Sequence, residues 1–374
     1  MIKVINVTSD ANIGGAGKCI LTFLKHYDKK RFDVTVIVPP KSLLIPEIKA
    51  AGGKYIEVDG ISDKSLDIGG IKSLKKVFDD LKPDIVHAHA AMSARIAARF
   101  SGAKVIYTRH SVFDPPKKIS KGIGKLINGA VNNFFADKII AVAQAAKDNL
   151  IKTGVSEKKI TVIKNGVDAL RRYDSEKIKQ IKSEYGINDE FVITIAARLT
   201  YVKGHTYILK AMRLLADEKR NFRLIIAGTG EYEDEIKKEI SNLNLWDNVI
   251  AAGFVKDIEA LNNITDLNLN FSFGTEATSL SLLEGMSLGI PAVVSDFGGN
   301  PGVIKDGENG FLVPVKDYKA LFEKVKLVMD DGALYKELCR KSREIFENEF
   351  TAKRVTGRIE GVYDEVFAKR RKIR

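Results

Sequence analysis

The stretch Glu276-Ala-Thr-Ser-Leu-Ser-Leu-Leu-Glu284 follows an apolar run at 267–273. An apolar run, a polar loop and a second apolar segment predict a strand, a loop and a helix. Thr278 and Ser279 are residue types that favour the N-cap, so the helix is predicted to begin at Leu280. The first turn of such a helix presents unpaired backbone N–H groups that bind phosphate. A phosphate is therefore expected over Thr278, Ser279 and Leu280.

The two glutamates that bound this stretch are placed to share a ligand. Glu276 is expected in the loop, and Glu284, eight residues later, on the second turn of the helix. One carboxylate can then hold the hydroxyls of a ribose while the other faces a second polyhydroxylated group.

The same alternation of short β-branched runs and longer helical patterns extends along the chain. Predicted strands in the first half are 3–7, 34–38, 55–58, 85–87, 105–108, 139–142 and 160–163; those in the second are 191–197, 224–227, 249–252, 267–270 and 292–295. This rhythm predicts an α/β protein with parallel sheets covered on both faces. A chain of 374 residues is too long for one ordinary core, so we expect two Rossmann-like domains.

Several further motifs follow one another along the chain. They are Gly14-Gly-Ala-Gly17, Asp84-Ile-Val-His-Ala-His89, Thr108-Arg-His110, Asn165-Gly-Val-Asp168, Arg198 with Lys203-Gly204, Gly228-Thr-Gly230 and Asp296-Phe-Gly-Gly-Asn-Pro301. Together with the paired glutamates, this series closely resembles the retaining glycosyltransferases of family 4, over nearly the whole chain. The resemblance implies the GT-B fold, two Rossmann-like domains facing across a cleft. Residues 1–168 would form the acceptor-side domain, with a C-terminal helix from about 351 to 374 crossing back onto it, and 169–350 the donor domain.

The resemblance also implies roles on the donor side. Glu284 would take the ribose hydroxyls and Glu276 the sugar or the phosphate region. The glycine loop at Gly14 and Gly15 would reach toward the donor phosphates, although a tight strand-to-helix turn needs the same residues. Further donor-binding positions are Gly228, Phe254 and Val255 with Thr278, Ser279 and Leu280, and the strand end at 254–255 is the expected edge for the nucleobase.

Arg198 and Lys203 carry the chemistry expected of the leaving group. A strand-end loop with a guanidinium, an ammonium and a following helix meets the negative charge that builds on a diphosphate. In isolation the same two residues would be read as ordinary exposed cations. The chain contains no Asp-x-Asp pair to hold a divalent ion, so neither a metal nor another cofactor is expected.

A histidine at the position of His110 faces the transferred sugar in the resembling family, and His110 is accordingly a candidate catalytic residue with Glu276, Arg198 and Lys203. Its place at the carboxyl end of a predicted strand, where α/β folds build their sites, favours this role over a structural one. His87 and His89 are interpreted as a strand-end pair rather than a metal pair, since no third ligand accompanies them. They would line the acceptor side together with Asn12 and Arg109.

The net charge of +12 is uneven. The first 170 residues hold 28 of the 60 basic residues and only 16 of the 48 acidic ones. Such a surface is consistent with solvated lysines, an anionic membrane or an acidic substrate. Nucleic acid is disfavoured, because no aromatic residues interleave with the basic ones in a recognition motif.

No run of apolar residues is long enough for a transmembrane helix, and no signal peptide is recognised, so we expect a cytoplasmic protein, on the inner membrane surface at most. Cys19 and Cys339 are interpreted as buried small hydrophobes rather than a disulfide or metal site.

The segment 117–138 combines lysines with apolar residues at helical spacing. Its lysines are Lys117, Lys118, Lys121 and Lys125, and its apolar residues are Ile123, Leu126, Ile127, Ala130, Val131, Phe134 and Phe135. An ordinary surface helix would pack this apolar stripe on the sheet. A basic amphipathic helix lying on an anionic membrane is the alternative.

The expected function is transfer of a hexose or N-acetylhexosamine from a nucleotide-diphosphate sugar, with a UDP-sugar favoured, to a hydroxyl of a saccharide or lipid-linked acceptor in polysaccharide or glycolipid assembly. The resemblance implies retention by same-face attack, with the leaving phosphate accepting the acceptor proton. A UDP-sugar epimerase of the same architecture and a non-catalytic nucleotide-sugar-binding protein are the alternatives.

Overall fold

The computed structural model describes residues 1–61, 67–89, 92–112 and 115–371. Its strands are β1 (Ile2–Thr8), β2 (Phe32–Val38), β3 (Lys54–Glu57), β4 (Ile85–His89), β5 (Lys104–Arg109), β6 (Lys138–Ala141), β7 (Ile160–Val162), β8 (Phe191–Ala196), β9 (Phe222–Ala227), β10 (Val249–Gly253), β11 (Leu267–Asn270), β12 (Ala292–Ser295) and β13 (Gly310–Val313). Its helices are α1 (Gly15–His26), α2 (Leu44–Ala50), α3 (Ile68–Leu81), α4 (Met92–Phe100), α5 (Lys117–Ser120), α6 (Gly122–Phe134), α7 (Gln144–Lys152), α8 (Ser175–Glu184), α9 (His205–Asp217), α10 (Glu233–Asn242), α11 (Ile258–Asn263), α12 (Leu280–Ser287), α13 (Tyr318–Asp330), α14 (Gly332–Ile345) and α15 (Ala352–Arg371).

The chain divides into two compact units. Unit 1 contains Met1–Gly166 and Ala352–Arg374, and unit 2 contains Val167–Thr351. The sequence had placed the boundaries at 168 and about 351. Each unit is built on a parallel sheet, and α-helices connect its successive strands except between β12 and β13, which is the Rossmann-like α/β architecture that the sequence predicts.

Unit 1 contains a seven-stranded sheet in the order β3-β2-β1-β4-β5-β6-β7. Its β-branched strand residues are buried on both faces, as a fully covered parallel sheet requires. On one face the core includes α15, which contributes Val355, Val362, Tyr363 and Val366. The ring of Tyr363 packs edge-on against that of Phe23, with 5.6 Å between the centroids. The last helix of the chain is therefore part of the core of unit 1.

Unit 2 contains a six-stranded sheet in the order β10-β9-β8-β11-β12-β13. Every strand of this sheet except β13 was predicted. Strand β13 begins at Gly310, whose φ is +154°, and a Cβ there would lie 2.0 Å from the carbonyl oxygen of Ala292 on β12. Glycine lets this short edge strand approach its neighbour closely.

Strand order reverses direction at one point in each sheet. In unit 1 the reversal lies between β1 and β4, and in unit 2 between β8 and β11. Loops at the carboxyl ends of the strands on either side of such a point diverge and leave a crevice where α/β folds bind ligands. The loops after β1, β4, β8 and β11 are therefore where the sites are expected.

The segment 117–138 differs from the expectation of one helix with its apolar stripe packed on the sheet. It forms α5 and α6, separated at Lys121, and then enters β6. Gly129 is the only buried residue of α6, and the side chains of Ile123, Leu126, Ile127 and Phe134 are exposed. The packed interpretation is wrong for this stripe.

The cysteines also differ from expectation, because both are free thiols of intermediate burial rather than fully buried. The Cys19 thiol donates to Asn165 Oδ1 at 3.1 Å, and burial raises its pKa to about 12. Across the described ranges, no helix has both the length and the hydropathy of a membrane span.

Candidate active site

The loop between β11 and α12 in unit 2 holds the two predicted glutamates. Helix α12 begins at Leu280, as predicted, with Ser279 at the N-cap. Glu276 lies in the loop before the helix and Glu284 on its second turn, also as predicted. Thr278, Ser279 and Glu276 are buried, whereas Glu284 is half-buried.

Ser279 occupies the N-cap position without capping the helix. Its side chain makes no hydrogen bond to the first turn, and its Oγ lies instead 3.1 Å from Ser281 Oγ. The first-turn N–H groups thus receive no hydrogen bond from the N-cap side chain, and they carry the positive end of the helix dipole. This is the geometry that a phosphate group uses.

The Glu276 carboxylate is held by three donors, although it is only 8% exposed. Its Oε2 accepts hydrogen bonds from Lys203 Nζ at 2.9 Å, Asn270 Nδ2 at 2.8 Å and Ser272 Oγ at 3.0 Å. A buried carboxylate needs this kind of compensation, and charge-assisted hydrogen bonds supply it. Glu276 is therefore fixed in position, and the Lys203 ammonium is paired with it.

Two glycines make close backbone contacts with the loop that holds Glu276. Gly298 has a φ of +61°, and a Cβ there would lie 2.4 Å from the carbonyl oxygen of Glu276. A Cβ on Gly299 would lie 1.8 Å from the carbonyl oxygen of Ala277. The Gly-rich motif that follows β12 therefore positions the backbone of the glutamate loop.

The neighbouring loops of unit 2 also meet through glycines. A Cβ on Gly204, which precedes α9, would lie 2.2 Å from the carbonyl oxygen of Phe271, and one on Gly228 would lie 1.9 Å from that of Ala197. Gly228 N also donates to the carbonyl of Gly253 at 2.7 Å. The carboxyl ends of β8, β9, β10 and β11 are thereby packed together.

The remaining donor-side candidates lie on these loops. Arg198 is exposed, in contrast to the ion-paired Lys203. Phe254 is 77% exposed directly after β10, whereas Val255 is half-buried and packs against the core of unit 2. The structure gathers the predicted donor residues of unit 2 at the carboxyl edge of one sheet.

In unit 1, three histidines form a stack at the ends of β4 and β5. The ring centroids of His87 and His89 are 4.3 Å apart, and those of His89 and His110 are 5.1 Å apart. His89 Nδ1 lies 2.8 Å from His110 Nε2, a hydrogen bond that requires one ring to donate and the other to accept. His110 is the member that remains partly exposed, and the other two are buried.

The inner histidine is a structural contact as well as a lining residue. His87 Nδ1 lies 2.8 Å from the hydroxyl of Tyr363, and His87 Nε2 lies 2.6 Å from Thr108 Oγ1. Both ring nitrogens of His87 thus make hydrogen bonds, one of them to a residue of α15. Burial lowers the pKa of His87 to about 3 and that of His110 to about 4, and it places the pKa of His89 well below its usual value. All three rings are therefore neutral at pH 7.

A hollow of about 30 Å³ in unit 1 is lined by the three histidines and by residues of α1, α15 and the segment after β7. Two buried polar atoms of its lining, Asn6 Nδ2 and His110 Nδ1, make no hydrogen bond. Unpaired buried polar atoms are costly unless water or a ligand reaches them. The hollow is therefore suited to a polar group.

The other candidates of unit 1 lie around the start of α1 and the end of β5. Gly14 is the N-cap of α1, and a Cβ on Gly15 would meet no described atom within 4 Å, so packing within the described part of unit 1 does not require glycine there. Asn12 is exposed, and its backbone N–H donates to Asp10 Oδ1 at 2.9 Å. The Arg109 guanidinium donates from Nε to the carbonyl of Ser111 at 3.2 Å.

Sequence reasoning missed the residues that hold Glu276. Asn270 ends β11, and Ser272 follows two residues later. Their signal was the presence of polar residues at the carboxyl end of an otherwise apolar run. His205, directly after Lys203-Gly204, was also missed: it is 1% exposed and neither of its ring nitrogens has a hydrogen-bond partner.

Within the described ranges, no three His, Cys, Asp or Glu side chains are grouped so that they could hold a metal ion. Arg198, Lys203 and the start of α12 are among the positive groups in the donor-side loops of unit 2.

Comparison with known proteins places the two halves of the chain in two related models. The model for Glycosyltransferase Family 4 matches residues 13–171, and that for Glycosyl transferases group 1 matches residues 177–345. The UDP-Gal:alpha-D-GlcNAc-diphosphoundecaprenol alpha-1,3-galactosyltransferase of Escherichia coli is 26% identical over 97% of this chain and 96% of its own length. The putative glycosyltransferase EpsD of Bacillus subtilis is 28% identical over 72% of each chain. Among solved structures, HepE of Anabaena in complex with UDP has a TM-score of 0.84 at 20% identity, covering 98% of this chain and 100% of that one.

Proposed function

Since the chain belongs to the group 1 glycosyltransferases of family 4 and has the GT-B fold, we propose that it is a retaining, metal-independent enzyme that acts on a UDP-sugar. It transfers a hexose or N-acetylhexosamine to a hydroxyl of a saccharide or lipid-linked acceptor, in polysaccharide or glycolipid synthesis.

The observation that carries the proposal is the fixed position of Glu276 before the start of α12. Three donors hold one oxygen of this buried carboxylate, and an uncapped helix start follows it within four residues. A preorganised carboxylate beside a phosphate-binding helix start suits a sugar joined to a diphosphate, because both parts of the ligand meet fixed partners.

In the proposed reaction the bond between the anomeric carbon and the β-phosphate oxygen breaks, and a bond from that carbon to the acceptor oxygen forms on the same face. The acceptor proton passes to the departing phosphate, which leaves as UDP. Lys203, Arg198 and the start of α12 stabilise the charge that accumulates on the diphosphate. Glu284, on the second turn of α12, takes the ribose hydroxyls.

Metal independence is proposed from the positive groups of unit 2. Arg198 and Lys203 lie on the loop after β8, and the start of α12 follows β11, the neighbour of β8 in the sheet. These groups would together balance the diphosphate charge. Excess chelator should accordingly leave the reaction rate unchanged.

The donor and acceptor classes rest on the relatives. The E. coli relative is named for a UDP-sugar donor and a diphosphoundecaprenol-linked acceptor, and the Anabaena structure contains UDP. We assign the acceptor to unit 1, where Asn12, Arg109 and the partly exposed His110 supply polar groups. His110, neutral because its pKa is lowered, would donate or accept a hydrogen bond with a sugar hydroxyl rather than carry charge.

The test is a panel of UDP-, GDP- and ADP-sugars incubated with the protein and EDTA, with release of the nucleoside diphosphate followed over time. Glu276→Gln and Lys203→Ala are the site variants. Glu308→Gln and Lys210→Ala are matched controls, since both residues are exposed and lie in unit 2. We expect release from a UDP-sugar, abolition by the site variants and no effect of the controls. The anomeric configuration of the product, read by NMR, tests retention.

The other outcomes favour the alternatives. Conversion of the UDP-sugar to its epimer without any acceptor would indicate an epimerase. Thermal stabilisation by UDP with no turnover of any sugar nucleotide, with or without saccharide and lipid-linked acceptors, would indicate a binding protein. A rate that EDTA abolishes and Mg²⁺ restores would contradict metal independence.

A further inference from the structure

Helix α6 exposes its apolar face and packs its polar face inward, which is the opposite of an ordinary surface helix. Its exposed face carries Ile123, Leu126, Ile127, Val131 and Phe134, with exposed fractions from 37% to 76%. An amphipathic helix of a globular protein normally buries this face. The apolar stripe of α6 therefore calls for a partner outside the described fold of unit 1.

The inward face of α6 is polar and is fully used by the fold. Asn128 Nδ2 donates to the carbonyl of Thr153 at 2.7 Å, and Asn133 Oδ1 accepts from Ser156 N at 2.9 Å. Asn132 Oδ1 accepts from Arg95 Nη1 at 3.1 Å.

A glycine also allows close packing on the inward face of α6. A Cβ on Gly129 would lie 2.2 Å from the carbonyl oxygen of Gly154, so only glycine fits there. These contacts fix the rotation of the helix about its axis, because turning the apolar stripe inward would break all of them. The outward stripe is thus specified by the inward contacts.

The surface around the stripe is basic. Exposed Lys117, Lys118 and Lys121 lie at the amino-terminal end of α6. Near its other end the apolar surface continues to Phe100, which is 61% exposed and whose ring lies 6.2 Å from that of Phe135.

Acidic residues are scarce in this part of the chain. Residues 85–136 include eight lysines and arginines but one acidic residue, Asp114. Asp137, just beyond α6, is paired with Arg99 at 3.2 Å and with Lys104 at 3.2 Å. The described surface beside the stripe thus offers positive charge with little to balance it.

We infer that this surface, formed by α5, α6 and Phe100 and termed here the α6 face, docks on an anionic lipid bilayer. The apolar side chains would enter the boundary between headgroups and acyl chains, and the lysines would contact anionic headgroups. A second copy of the chain fits less well, because a two-fold contact would bring two basic, acid-poor surfaces together.

The inference adds a partner to the proposed function and needs no particular donor. It concerns unit 1 alone, and its test measures binding with neither sugar nucleotide nor acceptor present. A failure of bilayer docking would therefore leave the transferase proposal standing, and the reverse also holds.

The experiment is flotation of the full chain with vesicles of phosphatidylcholine alone, or of phosphatidylcholine and phosphatidylglycerol in equal parts. We expect flotation with the anionic vesicles only, weakening as salt is added. The apolar variant is Leu126→Glu with Ile127→Glu, and its control is Leu327→Glu, an exposed leucine on α13 of unit 2. The apolar variant should lose flotation and the control should keep it.

A second variant removes positive charge by replacing Lys117, Lys118 and Lys121 with Gln. Its control loses the same charge in unit 2, where the exposed residues Lys179, Lys319 and Lys336 are replaced with Gln. At roughly fivefold per lysine near the surface, the three substitutions should weaken partitioning about a hundredfold. Melting temperatures establish that each variant is folded.

Three results would overturn the inference. The first is equal flotation with neutral and anionic vesicles, and the second is flotation that neither the apolar variant nor the lysine variant reduces. The third is a dimer, detected by light scattering, that Leu126→Glu with Ile127→Glu dissociates. The last result would assign the α6 face to a second copy of the chain.

Discussion

Lys203 Nζ lies 2.9 Å from Glu276 Oε2, with the side chains 19% and 9% exposed. The lysine proposed to neutralise the leaving diphosphate is therefore paired with the carboxylate proposed to face the sugar. A diphosphate would compete with Glu276 for the ammonium, so the two residues should act as one unit in both stability and binding.

Lys203→Met should destabilise unit 2, because it leaves a buried carboxylate with two neutral donors. We expect the free energy of unfolding to fall by about 1–3 kcal/mol, with partial recovery when Glu276→Gln is added. Urea unfolding of the two single variants and the double variant measures this coupling, and titration with UDP should show weaker binding by Lys203→Met. Additive effects of the two substitutions would contradict the coupling.

Gly298→Ala should reduce transfer more than it reduces stability. The left-handed backbone costs alanine about 1–2 kcal/mol at any such position. At Gly298 the added Cβ also displaces the backbone of Glu276, and a misplacement of about 1 Å can cost about a hundredfold in rate. Gly307→Ala is the control, since its φ of +75° is similar but, beyond the adjacent residues, no described atom lies within 4 Å of the added Cβ. Equal rates for the two variants would show that Gly298 does not position the loop.

His205→Leu should stabilise the ligand-free protein. The ring is 1% exposed with both nitrogens unpaired, and leucine removes that desolvation cost at similar volume. We expect a gain of about 1–3 kcal/mol. His87→Leu is the contrast, because it breaks the hydrogen bonds to Tyr363 and Thr108 and should destabilise. Loss of stability in His205→Leu would mean that the imidazole has a partner, such as ordered water.

Acid should destabilise the protein through its buried histidines. Burial lowers the pKa of His87 to about 3 and those of His110 and His205 to about 4, and that of His89 well below its usual value. The unfolded chain binds these protons first, near pH 6.5, so stability is complete above that pH and falls as pH drops toward about 4.

The slope should approach about 1.4 kcal/mol per pH unit for each histidine that stays neutral in the fold. Denaturant unfolding at a series of pH values measures it, and His205→Leu should lower the slope by the share of one histidine. A flat profile between these pH values would contradict neutral burial.

Much of the fold was predictable because parallel strands buried on both faces leave a strong apolar signal. Strands β11 and β12 have the predicted bounds, whereas β13, which is equally short, was missed because it begins at Gly310, and glycine is not typical of a strand interior. The start of α12 at Leu280 was predicted correctly from the residue types Thr278 and Ser279, although the Ser279 side chain makes no capping hydrogen bond.

Tertiary contacts were harder to predict from the sequence. The pairing of Lys203 with Glu276 spans 73 residues and depends on two loops meeting at adjacent strand ends. The rotation of α6 was left open between two interpretations, of which the packed one is wrong, because helical periodicity identifies an apolar stripe without showing which way it faces. Asn128 and Gly129, which decide the rotation, act through partners in the segment after α7.

The placement of α15 in unit 1 has a consequence for synthesis on the ribosome. Unit 2 is one continuous stretch and can fold as soon as it emerges, whereas the first 166 residues have to wait for α15, made after all of unit 2. Until Tyr363 arrives, His87 lacks its hydroxyl partner, and apolar side chains such as Phe23 and Phe32 lack their cover. Unit 1 is thus begun before unit 2 but completed after it, and in the interval its incomplete core exposes apolar surface of the kind that chaperones bind.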